Sequence, residues 1–171
     1  MAEIRKLDVG QRYGIQGVHI PTFDEILDLV RGRCGVYLDL KRARIAPLVE
    51  KIRKRRMETD VVWCLSDLGE IQKLQALCPD CVVMPDPESL PELRSVLSRY
   101  HPLVVAPVWK ELTREMSDLC HRYDALVFVD ENWHNPRPSW KQALAWGVDG
   151  IQTDEPEELI AWLRSRPLKV W

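Results

Sequence analysis

The chain has 171 residues, of which 46% are hydrophobic and 29% are charged, and this composition excludes collagen-like, low-complexity and disordered proteins. Its 24 basic and 26 acidic residues give a formal net charge of −2, which argues against a nucleic-acid partner. The longest apolar run is far shorter than the roughly 20 residues of a membrane span, and the first residues lack the apolar core of a signal peptide. We therefore expect a single domain over residues 1–171 without a transmembrane segment, located in the cytoplasm if Met1 is the true start.

Apolar, β-rich runs recur along the chain and alternate with helical patterns. The runs cover residues 36–41, 61–65, 81–84, 103–106, 125–130 and 150–153. Between the first two, Ile45, Leu48, Val49 and Ile52 lie on one face of a helix, and later gaps repeat this spacing. Apolar strands that alternate with amphipathic helices predict a parallel sheet covered by helices. An open doubly wound sheet and a (β/α)8 barrel both fit this α/β pattern.

Cap residues mark where several helices begin. Thr22 and Glu25 have the spacing of a capping box, Ser89 precedes a second helix, and Asp154 precedes a third. The basic residues 51–56 fit a solvated helix face that ends in cations, rather than a site for phosphate or nucleic acid.

The five cysteines include one CxxC motif, Cys78-Pro-Asp-Cys81. An odd number of cysteines does not fit a disulfide framework. The motif could be redox-active or half of a zinc site, but no second ligand pair is visible. It also lies between a helical pattern and a strand, where a redox motif should follow a strand. We therefore expect ordinary reduced thiols.

The ends of the strands are where an α/β protein places its functional residues. Asp39 and Lys41 stand two residues apart at the end of the first strand, so they project from the same face. They fit either a structural ion pair or a metal-binding carboxylate beside a cation that faces phosphate. The fifth strand ends with polar groups and an indole, at residues 130–133, on the same rim.

Four segments in order resemble the glycerophosphodiester phosphodiesterase family. Residues 7–10 read LDVG and match its LDxG segment, residues 19–27 read HIPTFDEIL and match IPTLEEVL, and residues 36–41 match a strand that ends in ExK. Residues 147–156 resemble the closing GVDGIxTDxP segment. The resemblance extends over essentially the whole chain and is densest at its two ends.

The resemblance implies a TIM barrel that hydrolyses glycerophosphodiesters to glycerol 3-phosphate and an alcohol, with a divalent cation such as Mg²⁺ or Ca²⁺. Asp39 matches the metal-binding Glu of the ExK motif, and Lys41 matches the catalytic Lys that faces the phosphate of the substrate. Trp133 falls where the family often carries an aromatic residue near the substrate, although Asp130-Glu131-Asn132 replaces part of the usual WTVN segment.

The first motifs of the family, HRG, PEN, ExD and HD, have no match before Leu7. Six strands are predicted where a barrel has eight, and the 171 residues compare with about 250 in a typical barrel. We therefore expect six βα units of an incomplete (β/α)8 barrel, which lacks the first two. The chain is then either a piece of a phosphodiesterase or a degenerate homologue, and a non-catalytic phosphate-binding or structural α/β module is the alternative function. In each case we expect this chain alone to be inactive and to self-associate through its open edges.

Overall fold

Strands and helices alternate through the computed structural model, which describes residues 3–131 and 139–165. The strands are β1 Val36–Asp39, β2 Val61–Leu65, β3 Val82–Pro85, β4 Val104–Val105, β5 Leu126–Asp130 and β6 Gly150–Gln152. The α-helices are α1 Phe23–Val30, α2 Ile45–Arg55, α3 Leu68–Leu77, α4 Leu90–Tyr100, α5 Arg114–Arg122, α6 Trp140–Ala145 and α7 Pro156–Arg164. Each predicted strand is therefore present, with bounds that differ from the prediction by at most two residues.

The strands are parallel and stand in chain order, β1-β2-β3 in one sheet and β4-β5-β6 in another. Two backbone hydrogen bonds connect these sheets, from Ala106 N to Pro85 O at 2.8 Å and from Val108 N to Pro87 O at 3.2 Å. Within the described ranges no ladder joins β6 to β1, so the sheet stays open. This topology confirms the expected TIM-barrel-like fold and its incomplete closure.

The alternation of side chains along β1 separates the helix side from the inside of the barrel. Val36, Leu38 and Leu40 pack against the hydrophobic core beneath α1 and α2. Tyr37 and Asp39, which alternate with them, are more exposed and line the cavities on the opposite face. The period-2 pattern of a strand thus directs the polar end of β1 to the inside.

Most of the predicted helix starts are present. The Thr22 hydroxyl accepts a hydrogen bond from Glu25 N at 3.2 Å, and Thr22 N donates to Glu25 Oε2 at 2.7 Å, which completes the capping box. Ser89 caps α4. The expectation that Asp154 caps the last helix is wrong, because α7 begins at Pro156 and the N–H of Glu155 donates to the Thr153 hydroxyl at 3.1 Å.

The last turn of α2 is only partly the solvated face that its basic residues predict. The side chain of Arg55 is 10% exposed and binds both carboxylate oxygens of Asp28, at 2.6 and 2.9 Å. It also lies 2.9 Å from Asp24 Oδ1, and Lys51 pairs with the same carboxylate. These ion pairs connect α2 to α1, and they lower the pKa of Asp24 and of Asp28 below the usual value.

The expectation of reduced thiols is wrong for Cys78 and Cys81, which the structure joins by a disulfide bond. Cys78 is the C-terminal cap of α3, and Cys81 N donates to Cys78 O at 3.0 Å. This tight turn before β3 holds the two Cα atoms 5.3 Å apart, a distance that a disulfide can bridge. Cys34, Cys64 and Cys120 are free, as expected.

No helix in the described part of the chain combines the length and the apolar character that crossing a membrane requires.

Candidate active site at the carboxyl ends of the strands

Two adjoining cavities lie on the inner face of the open barrel. The inner cavity, of about 470 Å³, is mainly apolar and includes Tyr37, Met84, Phe128 and Ile151. The rim cavity, of about 160 Å³, lies at the carboxyl ends of β1 to β5. Its polar lining comes from Tyr37, Asp39, Lys41, Cys64, Asp86, Trp109, Lys110 and Asp130. The rim cavity is the candidate active site, because parallel barrels carry their chemistry at this end of the strands.

Asp39 and Lys41 both line the rim cavity, as expected for polar residues at the end of a barrel strand. Lys41 Nζ lies 2.8 Å from Asp39 Oδ1, and the two side chains are 77% and 46% exposed. The hydrogen bond to Asp39 raises the pKa of the Lys41 ammonium, so this group stays charged at neutral pH. The geometry is that of an ion pair at a cavity mouth, and the metal-binding and phosphate-facing roles of these residues stay predictions.

Asp86 follows β3 and brings a second carboxylate to the rim cavity. The Ser66 hydroxyl donates to Asp86 Oδ2 at 2.8 Å, whereas Oδ1 is buried and has no hydrogen-bond partner among the described residues. Burial raises the pKa of Asp86, and the bond from Ser66 and the charge of Lys41 oppose this increase. One oxygen of a held carboxylate is therefore left as an acceptor.

Asp130 closes the rim at the end of β5. Burial raises the pKa of this carboxyl, and the nearby carboxylates of Asp154 and Asp39 raise it further. Two further groups are kept neutral, because burial raises the pKa of the Tyr37 phenol and of the Cys64 thiol. A thiol with a raised pKa is a poor nucleophile, so Cys64 lines the site without being an attacking group.

Trp109 is the aromatic residue that the structure places at the rim. It begins the 3₁₀ helix Trp109–Glu111 after β4, its side chain is 2% exposed, and its Nε1 has no partner among the described residues. The family resemblance assigns the strand-end aromatic to Trp133, which lies outside the described residues. The available signal for Trp109 was its place four residues after the end of β4.

The described residues do not fit a divalent cation by themselves. Among residues 3–131 and 139–165, no three His, Cys, Asp or Glu side chains are grouped so that they could hold a metal ion. Asp39, the predicted ligand, already has one oxygen bound to Lys41. Mg²⁺ and Ca²⁺ require several oxygen ligands, and the described residues supply too few of them.

This chain is similar to known proteins in its fold rather than in its sequence. No protein-family model matches the chain, and no curated protein matches its sequence. A glycerophosphodiester phosphodiesterase from Agrobacterium tumefaciens is 22% identical with a TM-score of 0.72, and the match covers 94% of this chain and 70% of that one. A glycerophosphoryl diester phosphodiesterase from Parabacteroides distasonis is 18% identical with a TM-score of 0.81, and the match covers 98% and 64%.

A third solved structure includes a ligand. It is a phosphodiesterase from Oleispira antarctica in complex with the product sn-glycerol 3-phosphate, 18% identical with a TM-score of 0.77, and the match covers 95% of this chain and 70% of that one. Nearly all of this chain therefore matches only part of each neighbour, as expected for the C-terminal units of such a barrel. The structural neighbours of this chain are glycerophosphodiester phosphodiesterases, and its fold is similar to theirs.

Proposed function

We propose that this chain forms the C-terminal six βα units of a phosphoric diester hydrolase that converts glycerophosphodiesters to glycerol 3-phosphate and an alcohol in lipid metabolism. The observation that supports this most is the lysine-bearing cavity at the carboxyl ends of the strands. The fold neighbours add support, since one of them binds the product sn-glycerol 3-phosphate.

In this proposal the chain's own cations bind the phosphate of the substrate. Lys41 and Lys110 both line the rim cavity. Asp39 holds the Lys41 ammonium at 2.8 Å and thereby fixes its position at the cavity mouth. A fixed ammonium stabilises the negative charge that develops on the phosphoryl oxygens in the transition state. Lys41 is thus the proposed catalytic cation, and Asp39 positions it.

No histidine that could transfer a proton lines the described rim. Of the described histidines, His19 bonds to Leu7 O, His121 pairs with Asp149, and His101 lines a groove with Cys81. None of the three lines the rim cavity. We propose that an active barrel contains two further βα units, which carry the acid–base groups and the additional carboxylates that a Mg²⁺ or Ca²⁺ ion requires.

A phosphate-binding module without hydrolytic activity is the second candidate. Two observations favour it. Asp39 is bound to Lys41, and no three-ligand group for a metal ion exists among the described residues. Such a module would bind a phosphate ester at the rim cavity and release it unchanged.

An assay for sn-glycerol 3-phosphate release distinguishes these functions. It is run with a glycerophosphodiester and either Mg²⁺ or Ca²⁺, on this chain and on a fusion that adds the first two βα units of a solved neighbour. We expect no turnover by the chain alone and metal-dependent turnover by the fusion. Lys41→Ala should greatly reduce turnover by the fusion, whereas Lys54→Ala, a change of an exposed lysine on α2, should not. A folded fusion that binds phosphate but never hydrolyses the diester would support the module instead.

The open sheet also leads us to propose self-association. β1 pairs only with β2, and β6 only with β5, within the described ranges. Unpaired strand edges invite pairing with another chain. We expect the molar mass of this chain, measured by light scattering, to rise with protein concentration. The fusion should have the molar mass of a monomer at every concentration. A concentration-independent monomer in both cases would contradict this proposal.

A further inference from the structure

Two buried polar atoms without a partner belong to residues of the rim cavity. Among the described residues, five buried side-chain polar atoms have no hydrogen-bond partner: Trp63 Nε1, Asp86 Oδ1, Tyr100 OH, Trp109 Nε1 and Ser117 Oγ. Only Asp86 and Trp109 line the rim cavity. A buried polar group without a partner is destabilising, so each case requires an explanation. For these two residues, the cavity that they line is the place from which a partner can come.

The backbone holds the two residues just beyond the ends of neighbouring strands. The bonds from Ala106 N to Pro85 O and from Val108 N to Pro87 O extend the β3–β4 pairing past the strand ends, on either side of Asp86. Trp109 follows directly after Val108. The bond from Ser66 to Oδ2 fixes the Asp86 carboxylate and leaves Oδ1 as the acceptor. Backbone pairing therefore holds both residues beside the cavity, and Ser66 also holds the Asp86 carboxylate.

The chemistry of the two atoms selects the kind of ligand group. The indole N–H can only donate, and a carboxylate oxygen can only accept. A hydroxyl group satisfies both, because it donates one hydrogen bond and accepts others. A phosphate oxygen satisfies the indole alone and is repelled by the carboxylate. The cavity of about 160 Å³ is far larger than the roughly 10–15 Å³ that one water molecule needs, so it has room for a larger ligand.

We propose that Asp86 and Trp109 form a hydroxyl subsite in the rim cavity, which binds the hydroxyl groups of a small phosphorylated polyol. Asp86 Oδ1 accepts a hydrogen bond from the ligand, and Trp109 Nε1 donates one to it. The subsite rests on the proposed function in one respect, since Lys41 and Lys110 are taken to hold the phosphate end of the same ligand. In this subsite, Asp86 and Trp109 select a hydroxylated phosphate ester over an alkyl phosphate.

Calorimetric titration with two matched ligands tests this selection. sn-Glycerol 3-phosphate and n-propyl phosphate share the phosphate and the three-carbon chain, and only the first carries hydroxyl groups. If each of the two hydrogen bonds contributes about fivefold, the wild-type chain binds the glycerol ester about 25-fold more tightly. Trp109→Phe, which removes the donor, and Asp86→Ala, which removes the acceptor, should each lower the ratio of the two dissociation constants about fivefold, because one of the two hydrogen bonds is lost.

Trp63→Phe is the matched control. Trp63 is fully buried in the core on the helix side, and its indole N–H also lacks a partner among the described residues. This variant loses the same donor group outside the cavity and should keep the wild-type ratio. A wild-type ratio near one, or an equal loss of the ratio in Trp63→Phe, would overturn the subsite.

A titration with glycerol alone separates failure of the subsite from failure of the proposed function. In ¹H–¹⁵N spectra of the wild-type chain, the indole signal of Trp109 should shift with glycerol while that of Trp63 stays fixed. If both phosphate esters fail to bind and the Trp109 signal still shifts, the phosphate site is wrong and the hydroxyl subsite stands. If the Trp109 signal does not move, and the two esters bind equally, the subsite is refuted while phosphate binding at Lys41 stands.

Discussion

Lys41 Nζ lies 2.8 Å from Oδ1 of Asp39, the last residue of β1, two residues earlier in the chain. Both side chains are largely in contact with solvent, where ion pairs contribute about 0–1 kcal/mol to folding. The pair therefore has little effect on stability, and its position at the mouth of the rim cavity is its more important property.

Lys41→Ala should weaken phosphate binding without unfolding the chain. We expect the free energy of unfolding in urea to change by less than about 1 kcal/mol, because an exposed ion pair is lost and no packing is removed. Calorimetric titration with inorganic phosphate should show weaker binding than in the wild type. Lys54→Ala serves as the control, and equal phosphate binding in both variants would contradict the role of Lys41.

Divalent cations should not stabilise this chain. A ligand that binds only the folded state raises its stability, and the described residues offer no three-ligand group. We expect millimolar Ca²⁺ or Mg²⁺ to leave the Tm unchanged within about 1 °C, in the wild type and in Asp39→Ala. In the eight-unit fusion, Asp39→Ala should weaken metal binding, because the cation loses one oxygen ligand. A clear Tm increase in the wild-type chain alone would show that a cation site exists.

The ion pairs between α1 and α2 should make stability depend on acid pH. Hydrogen bonds from Lys51 and Arg55 lower the pKa of Asp24, and that from Arg55 lowers the pKa of Asp28. Because both pKa values are lower in the folded state than the usual value of about 3.9, this stabilisation is complete above that value and is lost as the pH falls through the folded pKa values. Arg55→Met should therefore lower the Tm at pH 7 and have a smaller effect near pH 2.

Arg53→Met is the control for this experiment. Arg53 is an exposed cation in the last turn of the same helix. Its removal should change the Tm little at either pH. If Arg55→Met lowered the Tm equally at both pH values, lost packing rather than the ion pairs would explain its effect.

Thiol labelling should separate the cysteines by exposure and pKa. Cys34 is exposed and should react first with iodoacetamide at pH 8. Cys64 should react more slowly, because burial raises its pKa, and Cys120 should stay unlabelled, because burial raises its pKa to about 12. When the chain is instead alkylated in denaturant, mass spectrometry should find three alkylated cysteines without reductant and five with it. Five without reductant would rule out the disulfide between Cys78 and Cys81.

Local patterns in the sequence predicted the order of elements. The apolar runs became six parallel strands, and the Thr22–Glu25 box began α1 as expected. The spacing of Asp39 and Lys41 also predicted a shared face, since side-chain direction in a strand depends only on the parity of position. These features need no information beyond a few neighbouring residues.

The contacts that cross between elements were decided by the tertiary structure. The sequence predicts a solvated Arg55, but in the structure Arg55 pairs with Asp24 and Asp28 of α1. Cys78 lies close enough to Cys81 for a disulfide because the chain turns tightly between α3 and β3. Asp86 and Trp109 have no shared motif and lie 23 positions apart in the sequence. They line one cavity because parallel strands place their carboxyl ends on the same rim, and that placement depends on how the strands are ordered in space.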